Sequence, residues 1–232
     1  MSRYAQQLLL NELGISGQKK LENTSILVIG AGGLGTVVAT YLTGMGFGKI
    51  GICDSDMVSE SNLHRQFLYT PNDIGLFKAE RLCAMLGVQN PHIDLNAVVQ
   101  KIQENNANEL ISNYSIICDC TDNAKSRILI NKFCENHHKT LVHGAVSEWQ
   151  GYVTVLHYKR KFSLSNLFDM EGYLNAQSCS IGGINPAICG IIGSYMSNEC
   201  LKICLDLNGI LDGKFLYVNG LSNVNKVFSL KR

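Results

Sequence analysis

The chain has 232 residues, enough for one large domain with a core of its own. Its 20 lysines and arginines nearly balance its 19 aspartates and glutamates, and the net charge of +1 argues against binding to nucleic acid or to a charged membrane surface. Its nine cysteines lie mostly in apolar stretches, and residues 1–25 show no pattern typical of a signal peptide, so we expect a reduced protein of the cytoplasm.

The first predicted elements alternate between helix and strand. Residues 2–14, SRYAQQLLLNELG, place their apolar side chains on one helical face and end at a glycine, which predicts a helix with a glycine stop. Residues 25–30, SILVIG, are apolar on both faces, as in a parallel strand covered by helices on both sides. A helix is predicted over 33–45, and a strand over 49–54.

The uncharged stretch 23–48 is long enough to span a bilayer. It contains seven glycines, however, and divides naturally into a short strand, a glycine turn and a helix. Because a glycine turn explains this composition better than membrane insertion does, we expect no membrane-spanning segment.

The alternation continues to residue 146. Helices are predicted at 74–88, 104–113 and 123–137, and strands at 93–99, 114–119 and 140–146. Beyond residue 150 we predict a strand at 151–158, an irregular segment at 158–185, a helix at 186–206, and strands at 214–220 and 225–230. Strands that alternate with helices imply right-handed crossovers, with ligands at the carboxyl ends of the strands. The predicted fold is α/β: a doubly wound, Rossmann-like, mostly parallel sheet with C-terminal antiparallel strands.

The glycine-rich loop GAGGLG follows a strand and begins a helix, which is the context that a nucleotide-binding loop requires. Gly30, Gly32, Gly33 and Gly35 allow the backbone to approach phosphate closely, and a helix N-terminus favours negative charge. Asp54, at the end of the next strand, is placed to accept hydrogen bonds from a ribose. The loop is also consistent with a glycine turn that only packs a helix against a strand, or with a nicotinamide-dependent dehydrogenase.

The stretch DSDMVSESNLHRQFL, residues 54–68, argues against a dehydrogenase. It carries Ser61, Asn62, Arg65 and Gln66, and Lys78 follows in GLFKAERL. An enzyme that splits a triphosphate needs fixed cations and amides where charge develops on the phosphates, whereas a dinucleotide enzyme has no obvious need for them. Surface solvation is the alternative for Arg65 and Lys78, but their position between the glycine loop and an acidic loop favours a site.

The acidic loop is DCTDNAKSR, residues 119–127, which begins where an apolar strand ends. Its two aspartates, Asp119 and Asp122, can hold a metal, begin the following helix together with Asn123, or only turn the chain. The residues alone leave these three alternatives open.

Together these motifs resemble the ThiF/MoeB/HesA family, the bacterial relatives of the ubiquitin-activating enzymes, over nearly the whole chain. The matching segments are RY..Q.LL.E.G..GQ..L at 3–21, GAGGLG, D.D.V..SNL.RQ at 54–66, Lys78, DCTDN at 119–123, and a cysteine, a glycine, a proline and a glycine between 179 and 190. The resemblance implies a single adenylation domain over 1–232. Its parts are the N-terminal helices (1–23), a nucleotide-binding core (24–150), and a carrier-binding crossover segment with the C-terminal strands (151–232).

The resemblance also implies a reaction, in which ATP and the C-terminal carboxylate of a small ubiquitin-fold sulfur carrier ending in Gly-Gly form a carrier acyl-adenylate and pyrophosphate. It assigns Arg65 and Lys78 to the phosphates and Asp122 to Mg²⁺, and it leaves Asp119 a structural role. The nucleotide-binding set that it implies is Gly30, Gly32, Gly33, Gly35, Asp54, Ser61, Asn62, Arg65, Gln66, Lys78 and Asn123.

Cys179 lies at the position that in ThiF-like members bonds covalently to the activated carrier or passes on sulfur. It is therefore a candidate catalytic residue together with Arg65, Lys78 and Asp122. An unreactive loop cysteine is the alternative, because a thiol needs a lowered pKa to attack.

Two features depart from the family pattern. Many relatives bind zinc through two Cys-x-x-Cys pairs, and this sequence has no such pair, so we predict no structural zinc and leave open how residues 158–180 are ordered without it. Gln6 stands where the family commonly has an arginine thought to reach the nucleotide of a dimer partner. Either Arg3 takes the place of that arginine, or catalysis is slower.

We expect an ATP-dependent adenylyltransferase for a ThiS-like carrier of thiamine biosynthesis, acting as a homodimer and without a membrane or nucleic-acid partner. Cys179, and the lack of a sulfurtransferase domain in this sequence, weakly favour thiamine, and a MoaD-like carrier for molybdopterin is the closest alternative. The others are a degenerate homologue that binds nucleotide or carrier without turnover, and a HesA-like enzyme acting on tRNA, against which the near-zero net charge counts.

Overall fold

The computed structural model describes residues 2–175 and 182–230. The strands are β1 (Ser25–Ile29), β2 (Lys49–Cys53), β3 (Asp94–Val98), β4 (Ile116–Asp119), β5 (Thr140–Ser147), β6 (Gln150–Leu156), β7 (Lys214–Asn219) and β8 (Val224–Ser229). The helices are α1 (Gly14–Glu22), α2 (Gly33–Met45), α3 (Lys78–Gln89), α4 (Glu104–Ser112), α5 (Ala124–Asn136), α6 (Met170–Asn175) and α7 (Pro186–Leu205). Short 3-10 turns lie at Ser2–Tyr4, Gln7–Leu9, Glu60–Asn62, Pro71–Asp73 and Leu164–Asn166.

The eight strands form one sheet in the order β3-β2-β1-β4-β5-β6-β7-β8. The pairs from β3 to β5 are parallel, with Ile26 of β1 opposite Ile50 of β2 and Ile116 of β4, and the pairs from β5 to β8 are antiparallel. The chain runs from β1 outward to β3 and then returns to the other side of β1. Ligands bind at such a switch point, outside the carboxyl ends of the strands. The predicted fold class is confirmed.

The central strand is buried on both faces, which explains why its sequence is continuously apolar. Ile26 and Val28 face one apolar cluster, which helices α1, α2, α3 and α7 cover. Leu27 and Ile29 face a second cluster, which α4 and α5 cover on the opposite side. A parallel strand between two helix layers has no polar face, because neither side meets water.

The helix predicted over residues 2–14 is wrong. Two 3-10 turns of three residues each lie in this segment, and Gly14 begins α1 instead of ending a helix. Leu9 and Leu10 remain 75% and 52% exposed, so the apolar face seen in the sequence is not buried as a unit. A short helix depends on burying such a face, because its own hydrogen bonds do not compensate the loss of chain entropy.

Two other predicted boundaries differ from the structure. Helix α3 begins at Lys78 and not at 74, because the turn at Pro71–Asp73 and Gly75, with φ +87°, come before it. The segment predicted to be irregular contains α6 and a 3-10 turn, while residues 176–181 lie outside the described residues. The remaining elements begin and end within two residues of the prediction.

The uncharged stretch 23–48 folds as β1, the glycine loop and α2. Across residues 2–175 and 182–230, no helix is both long enough and apolar enough to cross a membrane.

Candidate functional site

A cleft of about 760 Å³ opens at the carboxyl ends of the central strands, where the chain switches sides of β1. It brings together residues that lie far apart in the sequence. The predicted residues that line it are Gly30, Gly32, Gly33, Asp54, Asn62, Arg65, Gln66, Lys78, Asp122 and Asn123. Ser61 and Gly35 were also predicted to bind the nucleotide, but they are not among the lining residues.

The glycine loop passes very close to its neighbours. Gly30 has φ +97°, and a Cβ built on it would lie 2.8 Å from the Cys120 carbonyl oxygen. A Cβ on Gly35 would lie 1.7 Å from the Gly30 carbonyl oxygen, so Gly35 serves the packing of α2 against its own loop. Gly33 begins α2, and the N-terminus of this helix therefore opens onto the cleft with its positive dipole end.

Asp54 fixes the glycine loop from the end of β2. Its carboxylate oxygens accept hydrogen bonds from the Ala31 N–H at 2.6 Å and from the Asp56 N–H at 2.7 Å. Burial raises the pKa of the Asp54 carboxyl, while these two hydrogen bonds and the charge of Lys78 act in the opposite direction. Each oxygen keeps acceptor capacity for a ligand hydroxyl, because a carboxylate has about four acceptor sites.

Lys78 is the first residue of α3 and is 6% exposed, so it is not a solvated surface lysine. Its Nζ lies 3.0 Å from Asp56 Oδ2, and the Asp56 side chain is 67% exposed. The Tyr69 hydroxyl lies 3.0 Å from the Ala31 carbonyl oxygen and 3.2 Å from that of Lys78, so it ties the glycine loop to the beginning of α3. Asp56 therefore pairs with the Lys78 ammonium group at the cleft, and the Tyr69 hydroxyl holds the backbone from which that side chain extends.

Gln66 is buried beside the glycine loop, with 2% of its surface exposed. Its Oε1 has no hydrogen-bond partner in the part of the chain that the structure describes. Its Nε2 lies 3.7 Å from where a Cβ of Gly32 would be. A buried amide oxygen without a donor is costly, and a hydrogen-bond donor of a ligand in the cleft would satisfy it.

Arg65 is half-buried next to the same loop, with its Cγ 3.6 Å from where a Cβ of Gly33 would be. Its Nη1 donates to the Ser61 carbonyl at 3.0 Å. The Asn62 side chain accepts a hydrogen bond from the backbone of Ser59 at 3.2 Å, which shapes the turn that presents Arg65. The guanidinium thus supplies a second cation at the glycine loop.

The two aspartates of the acidic loop have different surroundings. Asp122 is exposed and lines the cleft, and its Oδ1 lies 3.4 Å from Asn123 Nδ2. Asn123 caps α5 by accepting a hydrogen bond from the Ser126 N–H at 2.9 Å. Asp119 is fully buried and is not among the lining residues. The second aspartate of the motif is therefore the one available to a ligand.

Asp119 forms a buried polar cluster. It accepts hydrogen bonds from the Thr121 N–H at 3.0 Å, from the Thr121 hydroxyl at 2.7 Å and from His143 Nδ1 at 2.8 Å. His143 Nε2 in turn lies 2.9 Å from the Tyr152 hydroxyl. Burial alone would raise the pKa of Asp119, but the His143 hydrogen bond and the charges of His143 and Arg127 hold the pKa below its ordinary value.

Asp119→Asn is expected to lower the free energy of unfolding at pH 7 by about 3 kcal/mol, because it leaves the buried Arg127 guanidinium without its counter-charge. In the wild type, the contribution of Asp119 is present above its unfolded pKa of about 3.9 and is lost as the pH falls through the lowered folded pKa. The variant should therefore lose less stability on acidification. Urea unfolding between pH 7 and 3 measures this difference. Asp94→Asn, at an exposed site on β3, is the control. The prediction would be contradicted if the free energy of unfolding fell by the same amount between pH 7 and 3 in Asp119→Asn and in the wild type.

The sequence motifs did not single out Arg127, although it lines the cleft and is 5% exposed. Its Nε and Nη2 donate to the Thr121 carbonyl at 3.1 and 2.8 Å, and its Nη1 donates to the Tyr173 hydroxyl at 3.1 Å. Its position in the sequence could have indicated this role. Arg127 lies in the first turn of α5, four residues after the Asn123 cap, and residues four apart in a helix lie on the same side.

Two cysteines bear on the predicted chemistry. Cys179, a predicted catalytic residue, lies outside the described residues. Cys189 lines the cleft from the first turn of α7, and burial raises the pKa of its thiol to about 11, against the effect of the nearby Arg65. Cys189 is therefore a neutral thiol at pH 7.

Gln6 is exposed and is not among the residues that line the cleft. Arg3 donates from its Nη1 to the Gln89 carbonyl at 2.8 Å, at the end of α3. The contact with a dimer partner's nucleotide remains a prediction.

The lining of the cleft fits a nucleoside triphosphate with its Mg²⁺ ion. Lys78 and Arg65 supply positive charge, Gln66 supplies an unsatisfied amide oxygen that can accept a hydrogen bond from a ribose or base donor, and the glycine loop leaves room where a Cβ would not fit. Within the described ranges, no group of three or more His, Cys, Asp or Glu residues is arranged to hold a metal. Mg²⁺ does not require such a group, because it keeps waters and shares the phosphates with one or two carboxylates. Asp122 can supply that carboxylate, and the predicted lack of zinc remains a prediction.

Comparison with solved structures supports the fold. A crystal structure of PaaA superposes with a TM-score of 0.84 at 16% identity, covering 100% of this chain and 74% of that one. A crystal structure of Escherichia coli MccB with ATP superposes with a TM-score of 0.82 at 18% identity, covering 100% of this chain and 72% of that one.

Curated relatives are more similar in sequence. The protein named adenylyltransferase and sulfurtransferase MOCS3, from Caenorhabditis briggsae, is 38% identical over 99% of this chain and 58% of its own length. The probable molybdopterin-synthase adenylyltransferase of Gracilaria tenuistipitata var. liui is 36% identical over 98% of this chain and 64% of its own length. The chain thus spans less than two thirds of these relatives. The model of the ThiF family matches residues 4–232, and the chain belongs to that family.

Proposed function

We propose that this chain adenylates the C-terminal carboxylate of a small ubiquitin-fold sulfur carrier, using ATP. The observation that carries the proposal is the convergence of the glycine loop, Arg65, Lys78 and Asp122 on one cleft at the carboxyl ends of the strands. A glycine loop alone serves many activities, whereas two cations and an exposed carboxylate beside it suit the transfer of a nucleotidyl group.

We propose a MoaD-type carrier, which serves molybdopterin synthesis, as the substrate. One relative is named a probable molybdopterin-synthase adenylyltransferase, and others carry the name MOCS3. The ThiS-like carrier that the sequence alone favoured has no support from these names. The chain spans only part of its relatives, so the question of a sulfurtransferase domain does not decide between the two carriers.

The reaction requires little acid or base chemistry. A carboxylate oxygen of the carrier attacks the α-phosphorus of ATP, the bond from that phosphorus to the bridging oxygen breaks, and pyrophosphate leaves with the electron pair. The nucleophile is already an anion, so no side chain needs to remove a proton. The product is a mixed anhydride of the carrier with AMP, which makes the carboxyl carbon a good electrophile. Positioning and neutralisation of charge therefore account for most of the expected rate enhancement.

The charge of each residue in the cleft indicates which part of the nucleotide it would bind. Lys78 and Arg65 line the cleft, and in this proposal they neutralise the triphosphate as charge builds up on the leaving group. Asp54, fixed by two backbone N–H groups, is oriented to accept hydrogen bonds from the ribose. Asp122 would hold Mg²⁺, which when bound neutralises and orients the phosphates.

A path for the carrier tail leads away from the cleft. Gly182, Gly183 and Ile184 line the cleft, and the last two also line a second cavity of about 480 Å³ beside Trp149. The Glu148 N–H donates to the Gly183 carbonyl at 3.1 Å, so this segment lies next to the turn between β5 and β6. A tail that ends in two glycines suits this passage, because it carries no side chains there.

Carrier-dependent exchange of labelled pyrophosphate into ATP tests the proposal, with MoaD-type and ThiS-type carriers offered separately. We expect exchange with the MoaD-type carrier, and a loss of about 100-fold or more in Asp122→Ala. Asp94→Ala, which removes an exposed carboxylate on β3, is the matched control and should exchange normally. Exchange with the ThiS-type carrier alone would place the chain in the thiamine pathway.

A protein that binds nucleotide without turnover is the second candidate, and it is favoured by Gln6 at a position where the family commonly has arginine. It predicts ATP binding without exchange in the presence of either carrier. Calorimetric titration of ATP alongside the exchange assay separates the two candidates.

A further inference from the structure

The acidic loop between β4 and α5 is held at its middle residue, Thr121. The N–H and hydroxyl of Thr121 donate to Asp119 Oδ1 at 3.0 and 2.7 Å. Its carbonyl accepts two hydrogen bonds from Arg127, at 3.1 Å from Nε and 2.8 Å from Nη2. All the polar groups of Thr121 are therefore bonded, to one buried anion and one buried cation. Because a guanidinium is planar and its donors are fixed, two bonds to one oxygen restrain direction as well as distance.

Asp122, the next residue, has no such restraint on its side chain. It is exposed, and the hydrogen bond recorded for its carboxylate is the long one of 3.4 Å from Asn123 Nδ2. The backbone on either side of Asp122 therefore sets the direction of its Cα–Cβ bond, and so which side-chain rotamers bring the carboxylate to the cleft. That backbone is fixed by Thr121 before it and by the cap of α5 after it.

Arg127 also reaches a third element. Its Nη1 donates to the Tyr173 hydroxyl at 3.1 Å, and the Tyr173 ring stacks on Phe168 with centroids 4.5 Å apart and 14° between the planes. The guanidinium thus has one bond to α6 and two to the acidic loop. Removal of the Tyr173 hydroxyl leaves the two bonds to Thr121 in place, so the two connections can be tested separately.

We propose that Arg127 is a positioning residue for the cation site of the cleft: by holding the Thr121 carbonyl, it aims the Asp122 carboxylate at the divalent cation that accompanies the nucleotide. The inference rests on the proposed function, which assigns Asp122 to that cation. Residues that orient a metal ligand typically change metal affinity by about 10- to 100-fold when they are replaced. Arg127 acts through the backbone, so its loss should weaken cation binding more than nucleotide binding.

Titration of Mn²⁺ into the protein with ATP, followed by electron paramagnetic resonance, tests the proposal. Arg127→Lys keeps the charge that faces Asp119 but loses the two-bond restraint, and it should raise the Kd of Mn²⁺ about tenfold or more. Its Kd for metal-free ATP, measured by calorimetry, should stay within about twofold of wild type. Lys125→Met removes an exposed cation of the same helix turn and should leave both constants unchanged.

A double-mutant cycle with Asp122→Asn shows whether Arg127 acts through that carboxylate. If it does, adding Arg127→Lys to Asp122→Asn changes the Kd of Mn²⁺ by less than about twofold. Independent, additive losses would overturn the proposal, as would an unchanged Kd in folded Arg127→Lys. Tyr173→Phe should bind Mn²⁺ normally, and a loss equal to that of Arg127→Lys would overturn the route through Thr121. A wild type that binds Mn²⁺ with ATP but performs no pyrophosphate exchange contradicts the proposed function alone.

Discussion

Lys78→Met is expected to reduce carrier-dependent pyrophosphate exchange by about 100- to 1,000-fold, which is the usual effect of removing a fixed charge or donor from a developing anion. The same substitution should change the free energy of unfolding by less than about 1 kcal/mol, because replacing a buried charge by an apolar side chain of similar volume is often nearly neutral when its partner stays solvated. Methionine keeps the apolar stem that packs at the beginning of α3, and Asp56, whose side chain is 67% exposed, remains solvated without its partner. This one variant should therefore lose most of its exchange rate and keep nearly all of its stability.

Lys132→Met is the matched control, since Lys132 forms an ion pair with Glu104 in which both side chains are more than half exposed. Pyrophosphate exchange by the control should equal that of wild type. Urea unfolding of both variants checks that the folded fraction is the same. A Lys78→Met protein that is folded and exchanges at the wild-type rate would show that this cation does not act on the phosphates.

Gly35→Ala is expected to destabilise the protein by about 3 kcal/mol or more, because the new methyl group meets backbone and not a movable side chain. Its Cβ would lie 1.7 Å from the Gly30 carbonyl oxygen, so α2 and the glycine loop must separate. That movement displaces the loop at which we propose that the phosphates bind. Chemical denaturation should show the loss of stability, and calorimetry should show weaker ATP binding in the protein that remains folded.

Gly44→Ala provides the comparison within the same helix. A Cβ at Gly44 meets no atom within 4 Å, and the residue is exposed. Alanine has a higher helix propensity than glycine, so we expect this variant to be more stable than wild type by about 0.5 to 1 kcal/mol. Equal destabilisation by both substitutions would contradict the assignment of Gly35 as a packing position.

The difference between Gly33 and Gly35 also shows where the sequence pattern stops being informative. The motif GAGGLG contains both glycines, and sequence alone predicted that both serve the nucleotide. The structure places Gly33 at the cleft and Gly35 against the Gly30 carbonyl. A motif records which positions must be glycine, but close approach to a ligand and close approach to the protein's own backbone require the same residue.

The N-terminal segment illustrates a second limit. Its apolar residues have helical spacing, yet Leu9 and Leu10 stay exposed and two 3-10 turns form instead of the predicted helix. Helix α2, by contrast, begins and ends at the predicted residues, 33 and 45. The two cases differ in burial: Val38 and Leu42 of α2 enter the core, whereas Leu9 and Leu10 of the N-terminal segment stay at the surface although Leu8 and Leu13 pack against the core.

The sequence by itself determined the alternation of strands and helices, the glycine loop, the acidic loop and the family resemblance, because each of these depends on residues close together in the chain. The tertiary structure decided which charges share the cleft. It paired Lys78 with Asp56, placed Asp119 in the core and left Asp122 at the surface of the cleft, and it brought Arg127 to the Thr121 carbonyl. The Arg127 bond is local, but the other outcomes depend on burial, which arises only when distant segments pack against one another.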